Sequence, residues 1–493
     1  MYSLGFDVGS SSVKAALIDI ESNQTLATVK SPDQEMQIHA PKAGWAEQDP
    51  ETWWHHVRDA SHRLLEETKV DKSKITSIGV AYQMHGLVVL DKDGQVLRPS
   101  IIWCDGRANQ QGKAAFDKLG AQKCIHHLLN APGNFTASKL AWVQQNEPQL
   151  FERIDKAMLP GDYIGFKMTG EITTTATGLS EGTLWDFQNE SLANFLVDHF
   201  EFGSEIIPPL VPIFGAQGKL TSTAAKELGL NTGTPLLYRA GDQPNNALSL
   251  GALQPGDLAG SGGTSGVIYG VSDQLIKDES QRINSFLHVN HTAEQKRVGV
   301  LLCINATGIA YRWIKDHLAP DLSYTQLEHL AQEAEPGADG LTLLPFGNGG
   351  ERILNFKNEG AQLIGLDFNR HSTKEMVRAT LEGIAFSFVH GLEIMKGLGV
   401  SIGKIKVGND NLFQSTIFSQ IISNLTSASI EMYETTGAIG AAKGAAYAAG
   451  HYNSLEEAVS ADHGTKSIMP QSVGKEQEAY EKWKNELKKS IEK

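Results

Sequence analysis

The sequence predicts an α/β protein built as two similar halves, and three observations carry that prediction. Short β-branched and apolar runs alternate with amphipathic stretches of helical period. A turn of glycine and hydroxyl residues between two apolar runs occurs twice, as Gly9-Ser10-Ser11-Ser12 and as Gly262-Gly263-Thr264-Ser265-Gly266. The chain has 493 residues, which at roughly 100–200 residues per domain suits two or three domains.

The elements follow in chain order. Residues 3–6 and 13–20 flank the first turn, and 25–29 extends them into a meander after a turn at 21–24. A helix should start at Asp49: the aspartate can cap, Pro50 suits the first helical position, and Glu51 favours the positive end of the dipole. Trp54, Val57, Leu64 and Leu65 form its apolar stripe. The cluster of His55 and His56 beside Trp53 and Trp54 reads as helix surface, not as a metal site. Strands are expected at 75–81 and 87–90, the second followed by a hairpin turn at 91–94. Helices are expected at 137–146 and 221–228, then a strand at 235–238, Asp242 as a cap and a helix over 244–250. The strand–turn–strand pattern returns over 257–271. A long helix over 373–396 and a polar helix from 475 to Lys493 complete the chain. The boundary falls near 245–255, dividing 1–248 from 249–493.

Composition narrows the function. Hydrophobic residues make up 41% and charged residues 20%, as in ordinary globular proteins. The net charge of −14 repels nucleic acid and anionic lipid, so neither is an expected partner. Cys104, Cys124 and Cys303 are far apart and form no CxxC pair; a reducing, cytoplasmic home is expected. No apolar run is long enough to cross a bilayer, and the first residues lack the basic and apolar regions of a signal peptide.

The two turns carry the chemistry. A Gly/Ser/Thr turn can aim several N–H groups and hydroxyls into one concavity, which is an anion site. Two of them facing one another across a cleft could hold the phosphates of a nucleotide; two ordinary hairpin turns are the other reading. Asp7, at a strand end, would then stand near a divalent cation, with Lys14 as the nearest base. Asp242 lies at a strand-to-helix junction, where a carboxylate can take a proton from a hydroxyl attacking phosphorus or serve only as a cap. Gln83-Met84-His85-Gly86 and Trp103-Cys104-Asp105-Gly106-Arg107 follow apolar strands and offer polar groups beside an aromatic face, as a sugar requires.

These residues resemble the FGGY carbohydrate kinases, within the actin, sugar-kinase and heat-shock ATPase superfamily. Asp7-Val8-Gly9-Ser10-Ser11 is similar to that family's first phosphate loop and Gly262-Gly263-Thr264-Ser265-Gly266 to its second. The segment from Ala361 through Glu375 to Glu382 fits the C-terminal signature. The segment from Thr136 through Lys139 and Trp142 to Asn146 nearly meets the N-terminal one, from which Asn134 departs. The resemblance implies two actin-like (ribonuclease H-like) domains flanking a cleft, with sugar bound by the first and nucleotide by the second. It implies ATP and Mg²⁺ as cofactors, a small-molecule ketose as substrate and a second copy of the chain as partner. Met84, His85, Trp103, Asp242 and Gln243 would contact the sugar, with Asp242 as general base. Gly9, Ser10, Ser11, Lys14, Gly263, Thr264, Ser265, Gly308, Gly408 and Asn411 would contact the nucleotide, and Asp7 would organise the metal.

Trp45-Ala46-Glu47-Gln48-Asp49-Pro50, Met84-His85 and Gly350-Glu351-Arg352 resemble the members that act on D-xylulose; glycerol-phosphorylating members carry Arg-Glu at Met84-His85. L-ribulose, L-xylulose or a deoxy sugar are the alternative substrates, and a non-enzymatic nucleotide sensor the alternative class. One departure stands at Gly408-Asn409-Asp410-Asn411, where the family's adenosine motif has three glycines and an alanine. Asn accepts positive φ at a cost and Asp less readily.

Overall fold

The structure is a computed structural model that describes residues 1–460, 464 and 466–492. The chain divides into two compact units. The first comprises Met1–Leu253, Phe286–Val298 and Thr435–Asp462; the second comprises Gln254–Ser285, Gly299–Glu434 and His463–Lys493. Only strands of the two main sheets are numbered below.

In the first unit, β1 (Tyr2–Val8), β2 (Val13–Asp19), β3 (Gln24–Ser31), β4 (Ile75–Tyr82) and β5 (Leu236–Gly241) stand in the order β5-β4-β1-β2-β3. β1, β2 and β3 pair antiparallel through short turns, whereas β4 runs parallel to both β1 and β5. Parallel neighbours need a crossover, and the helix Pro50–Thr68 lies in the first one. It starts as its sequence implies: the Asp49 side chain accepts the Glu51 N–H at 3.0 Å and Pro50 opens the helix.

That helix corrects one expectation. Trp53 and Trp54 are core residues, not surface. With Val57, Ala60 and Leu64 they form a stripe wide enough to bury two adjacent rings. Each indole N–H finds a partner, Trp53 on Gln48 Oε1 at 3.0 Å and Trp54 on Glu227 Oε2 at 2.7 Å, which removes the penalty of burying the donor. His55 alone of the cluster is exposed, and His56 is half-buried. The hairpin turn expected at 91–94 forms, with the Gly94 N–H on the Asp91 carbonyl at 2.9 Å, the Leu97 N–H on the Val89 carbonyl at 3.0 Å and Leu90 bridged antiparallel to Val96; Val88–Leu90 also pairs with Lys156–Met158.

The helix Gly437–Ala448 belongs to the first unit and lies on β1 and β4. Its glycines and alanines allow the backbones to touch. A Cβ on Gly5 would overlap the Ala438 carbonyl, and one on Gly79 would overlap the Ala441 carbonyl.

In the second unit, six strands of a seven-stranded sheet, β6 (Asp257–Gly262), β7 (Gly266–Ser272), β8 (Val298–Ile304), β9 (Lys404–Gly408), β10 (Ser429–Tyr433) and β11 (Lys466–Ile468), stand in the order β8-β7-β6-β9-β10-β11, with Asn284–Leu287 as the edge strand beside β8. β6 and β7 are antiparallel, β6, β9 and β10 are parallel, and β11 is antiparallel to β10. Five of these strands repeat the order of the first sheet: β10-β9-β6-β7-β8 corresponds to β5-β4-β1-β2-β3. Both glycine-and-hydroxyl turns therefore join the first two strands of their unit. The long helix forms over Thr373–Gly397, opened by a capping box in which Glu375 accepts the Ser372 N–H at 2.8 Å. The terminal helix covers Lys475–Ile491; its expected end at 493 lies outside the described residues. Among the described residues no helix is long and apolar enough to cross a membrane.

Candidate active site

The first turn is held from behind. Gly9 N–H closes it on the Ser12 carbonyl at 3.0 Å, Met36 N–H takes the Ser11 carbonyl at 2.8 Å, and Gln48 Nε2 takes the Ser10 carbonyl at 2.7 Å. Engaged carbonyls leave the peptide N–H dipoles directed the other way, the arrangement an anion needs. The Trp103 indole N–H donates to Ser10 Oγ at 3.3 Å, and 53% of Trp103 is exposed. The expected sugar-facing tryptophan thus stands beside the first turn.

Asp7 is the last residue but one of β1 and the register partner of Lys14 on β2. Surrounding protein pushes its carboxyl up and the Lys14 charge pulls it back; the side chain keeps part of its surface open to solvent. Across from it starts the helix Gly437–Ala448. A Cβ on Gly437 would crowd Asp7 Oδ2 and Asn246 Oδ1, and Asn245 Nδ2 fixes the Gly437 carbonyl at 2.8 Å.

Asp242 differs from its expected role as a cap. The helix runs from Asp242 to Ser249, with Gly241 in the capping position. Pro244 does not interfere, because it falls in the first turn, where its missing N–H has no helical partner to lose. The backbone and side chain of Gln243, next in the helix, favour the ionised form of the Asp242 carboxyl. Desolvation and then the Asp7 charge push the Asp242 carboxyl up to about 7, and the side chain remains partly accessible.

Met84 and His85 come to the same place. A Cβ on Gly241 would overlap Met84 Cγ and Glu181 Oε2, so the missing side chain lets the Met84 turn reach the start of the Asp242 helix. His85 has φ +64°. Its Nδ1 lies 2.8 Å from the Glu181 carbonyl. A carbonyl only accepts, so Nδ1 carries a proton, which makes Nε2 the acceptor whenever the ring is neutral. The Lys139 ammonium donates to the His85 carbonyl at 2.9 Å. Phe135 and Phe286 pack on the imidazole at 4.8 and 5.3 Å between centroids.

The second unit presents its own loop. Thr264 and Ser265 are exposed at the β6–β7 turn. Behind them the helix Gly308–Leu318 opens with Gly308 N–H on the Gly263 carbonyl at 2.9 Å and Ile309 N–H on the Thr264 carbonyl at 3.1 Å. A Cβ on Gly308 would overlap the Gly263 carbonyl. The loop before that helix hangs on Glu351, a buried carboxylate that accepts Asn305 N–H and Ala306 N–H, each at 3.0 Å. At 408–411 the left-handed position falls on Asn411, φ +52°, and Asp410 is extended at φ −145°. The residue type that tolerates positive φ occupies the position that demands it. Asn409 is tied off by its N–H to the Tyr433 carbonyl at 3.0 Å and its amide to Glu434 at 2.7 Å.

Four residues here escaped the sequence reading as site residues: Glu181, Lys139, Glu351 and Gly437. Lys139 and Glu351 sit inside motifs, but nothing local marks what they hold. Glu181, the last residue of the helix Ala176–Glu181, carries no signal at all. Among the described residues no three His, Cys, Asp or Glu side chains cluster at metal-binding distance.

The N-terminal domain of the FGGY family of carbohydrate kinases matches residues 2–249, and its C-terminal domain matches residues 258–451. The chain is 31% identical over 468 residues to a xylulose kinase of Bacillus subtilis, covering 92% of this chain and 90% of that one. It is 29% identical over 444 residues to a xylulose kinase of Escherichia coli, covering 90% and 88%. The crystal structure of a xylulose kinase from Rhodospirillum rubrum superposes with a TM-score of 0.87 over 100% of both chains, at 25% identity. The two family matches together span both halves of this chain, which belongs to the FGGY family of carbohydrate kinases.

Proposed function

We propose that the protein transfers the γ-phosphoryl group of ATP to a ketopentose, D-xylulose, giving D-xylulose 5-phosphate and ADP. The observation that carries the reading is Asp242: a half-buried residue whose carboxyl is pushed up to about 7, at a helix start that also meets Met84 and Glu181. A base whose pKa lies near neutrality suits proton removal from an attacking hydroxyl. Asp242 takes the proton of the sugar's terminal hydroxyl as its oxygen bonds to phosphorus and the bond to ADP breaks. Gln243 favours the ionised form of that carboxyl, in which it can take the proton. His85, with Nε2 as acceptor, and Met84 orient the ketose. The engaged first turn, and Thr264 and Ser265 of the second, receive the phosphates.

Asp7 fits a magnesium ion. It is a single hard carboxylate, offset only by Lys14, and its charge burdens Asp242; Mg²⁺ takes one or two carboxylates and fills its shell with water and phosphate oxygens. Bound there, Mg²⁺ would neutralise charge on the phosphates.

The sugar assignment draws on the xylulose kinases that this chain resembles and on Met84-His85. The test is ADP release over a panel of D-xylulose, L-xylulose, L-ribulose and deoxy-ketoses, with Asp242→Asn alongside. D-xylulose should give the highest kcat/KM. A different preferred ketose replaces the substrate; nucleotide binding with no sugar-dependent turnover replaces the class with a sensor.

A further inference from the structure

His85 holds a left-handed backbone, φ +64°, which a residue with a Cβ keeps only where its surroundings over-determine it. Two of its groups are gripped from outside its own turn. Its Nδ1–H donates to the Glu181 carbonyl at 2.8 Å, and its carbonyl accepts from Lys139 Nζ at 2.9 Å. Lys139 is 0% exposed and Glu181 1%. An ionisable group buried this far is costly and persists where its hydrogen bonds are needed. Neither is required by its helix: Lys139 lies in the middle of Thr136–Asn146 and Glu181 ends Ala176–Glu181. Glu181 also abuts Gly241, the residue before Asp242. The Glu181 side chain and Met84 of the His85 turn thus close together on the start of the Asp242 helix.

We infer that Glu181 and Lys139 are the positioning residues of the ketose site: together they clamp His85 in its left-handed turn, fix the Nδ1–H tautomer and present Nε2 to a sugar hydroxyl. The inference rests on the ketose kinase reading above. Glu181 supplies the link through which the histidine and the general base keep one spacing, and Lys139 closes the turn from the opposite peptide group.

The test uses Glu181→Ala, Glu181→Gln and Lys139→Met in the full chain, with two readouts. The first is steady-state kinetics. Glu181→Ala and Lys139→Met should raise the ketose KM by about 10-fold or more, with the MgATP KM within about 2-fold of wild type. Glu181→Gln, which keeps the shape and a carbonyl oxygen beside Gly241, should recover to within about 3-fold. The second is hydrogen exchange of residues 83–86 in the ligand-free protein, which should quicken in Glu181→Ala and Lys139→Met. Unchanged ketose KM, or a MgATP KM that rises in step with it, overturns the clamp. If the wild-type protein releases no ADP with any ketose, the kinase reading falls; unchanged exchange at 83–86 would then overturn the clamp independently. Should Glu181→Ala fail to fold, Lys139→Met and Glu181→Gln decide the matter.

Discussion

After desolvation, the charge of Asp7 is the next cause that pushes the Asp242 carboxyl up to about 7. The base and the proposed metal ligand are thereby coupled. An ordinary aspartate ionises near 3.9, so Asp242 stays protonated through the mildly acid range and accepts a proton only above it. The kcat/KM for the ketose should fall as pH drops through about 7, roughly tenfold per unit on the acid side. A pH–rate profile of the free enzyme checks this, and an acid limb near 4 would remove Asp242 as the base. Asp242→Asn should lose about 10²–10⁴-fold in kcat.

The same shift makes a stability prediction of the opposite sign. A carboxyl whose pKa is raised on folding holds its proton more tightly in the native state. Its contribution is complete below the unfolded value and disappears as pH rises through about 7. At pH 8 the wild-type protein therefore carries an ionised, poorly solvated Asp242 beside Asp7. Asp242→Asn removes that charge and should raise Tm at about pH 8, with a smaller gain at about pH 5. Thermal melts at the two pH values test it. A mutant that is inactive yet more stable separates chemistry from folding.

The helix Gly437–Ala448 gives a packing prediction. Gly79 on β4 touches the Ala441 carbonyl so closely that no Cβ fits. Backbone cannot swing aside as a flexible side chain can, so Gly79→Ala must push the helix off the sheet. The expected loss is about 1–3 kcal/mol or more, read from denaturant melts. Because Asp7 lies on the neighbouring strand and Gly437 opens this helix, activity should fall with stability.

Much of this was legible along the chain wherever the deciding chemistry was local. Asp49-Pro50-Glu51 announced a helix because capping needs only adjacent residues. The two glycine-and-hydroxyl turns announced hairpins for the same reason, and they opened two sheets of matching order. What stayed hidden depended on distant partners. Trp53 and Trp54 looked like surface because Gln48 and Glu227, which satisfy their N–H groups, could not be assigned to them in advance. Asp242 read as a cap because one residue of helix boundary is below what propensity resolves; the helix begins on it. Glu181 and Lys139 lie far from His85 in sequence and meet it only in the fold.

Glu351 yields the last prediction. Its two carboxylate oxygens accept Asn305 N–H and Ala306 N–H at 3.0 Å each. That loop leads into Gly308 and Ile309, whose N–H groups hold the carbonyls of Gly263 and Thr264. The chain of contacts ends at the second turn, where the proposal seats phosphate. In Glu351→Gln one oxygen becomes an NH₂ facing an N–H. A donor then confronts a donor in a buried site, which costs about 1–3 kcal/mol. Part of that cost should be relieved by letting the 305–309 segment shift, loosening its grip on Gly263 and Thr264. The MgATP KM should rise by about 3–10-fold, with the ketose KM within about 2-fold of wild type. Glu351→Asp keeps two acceptors on a shorter stem and should fall between the two. Initial rates with each substrate varied in turn supply the measurement. An equal rise in both KM values would mean that Glu351 supports the fold at large and has no particular hold on the turn.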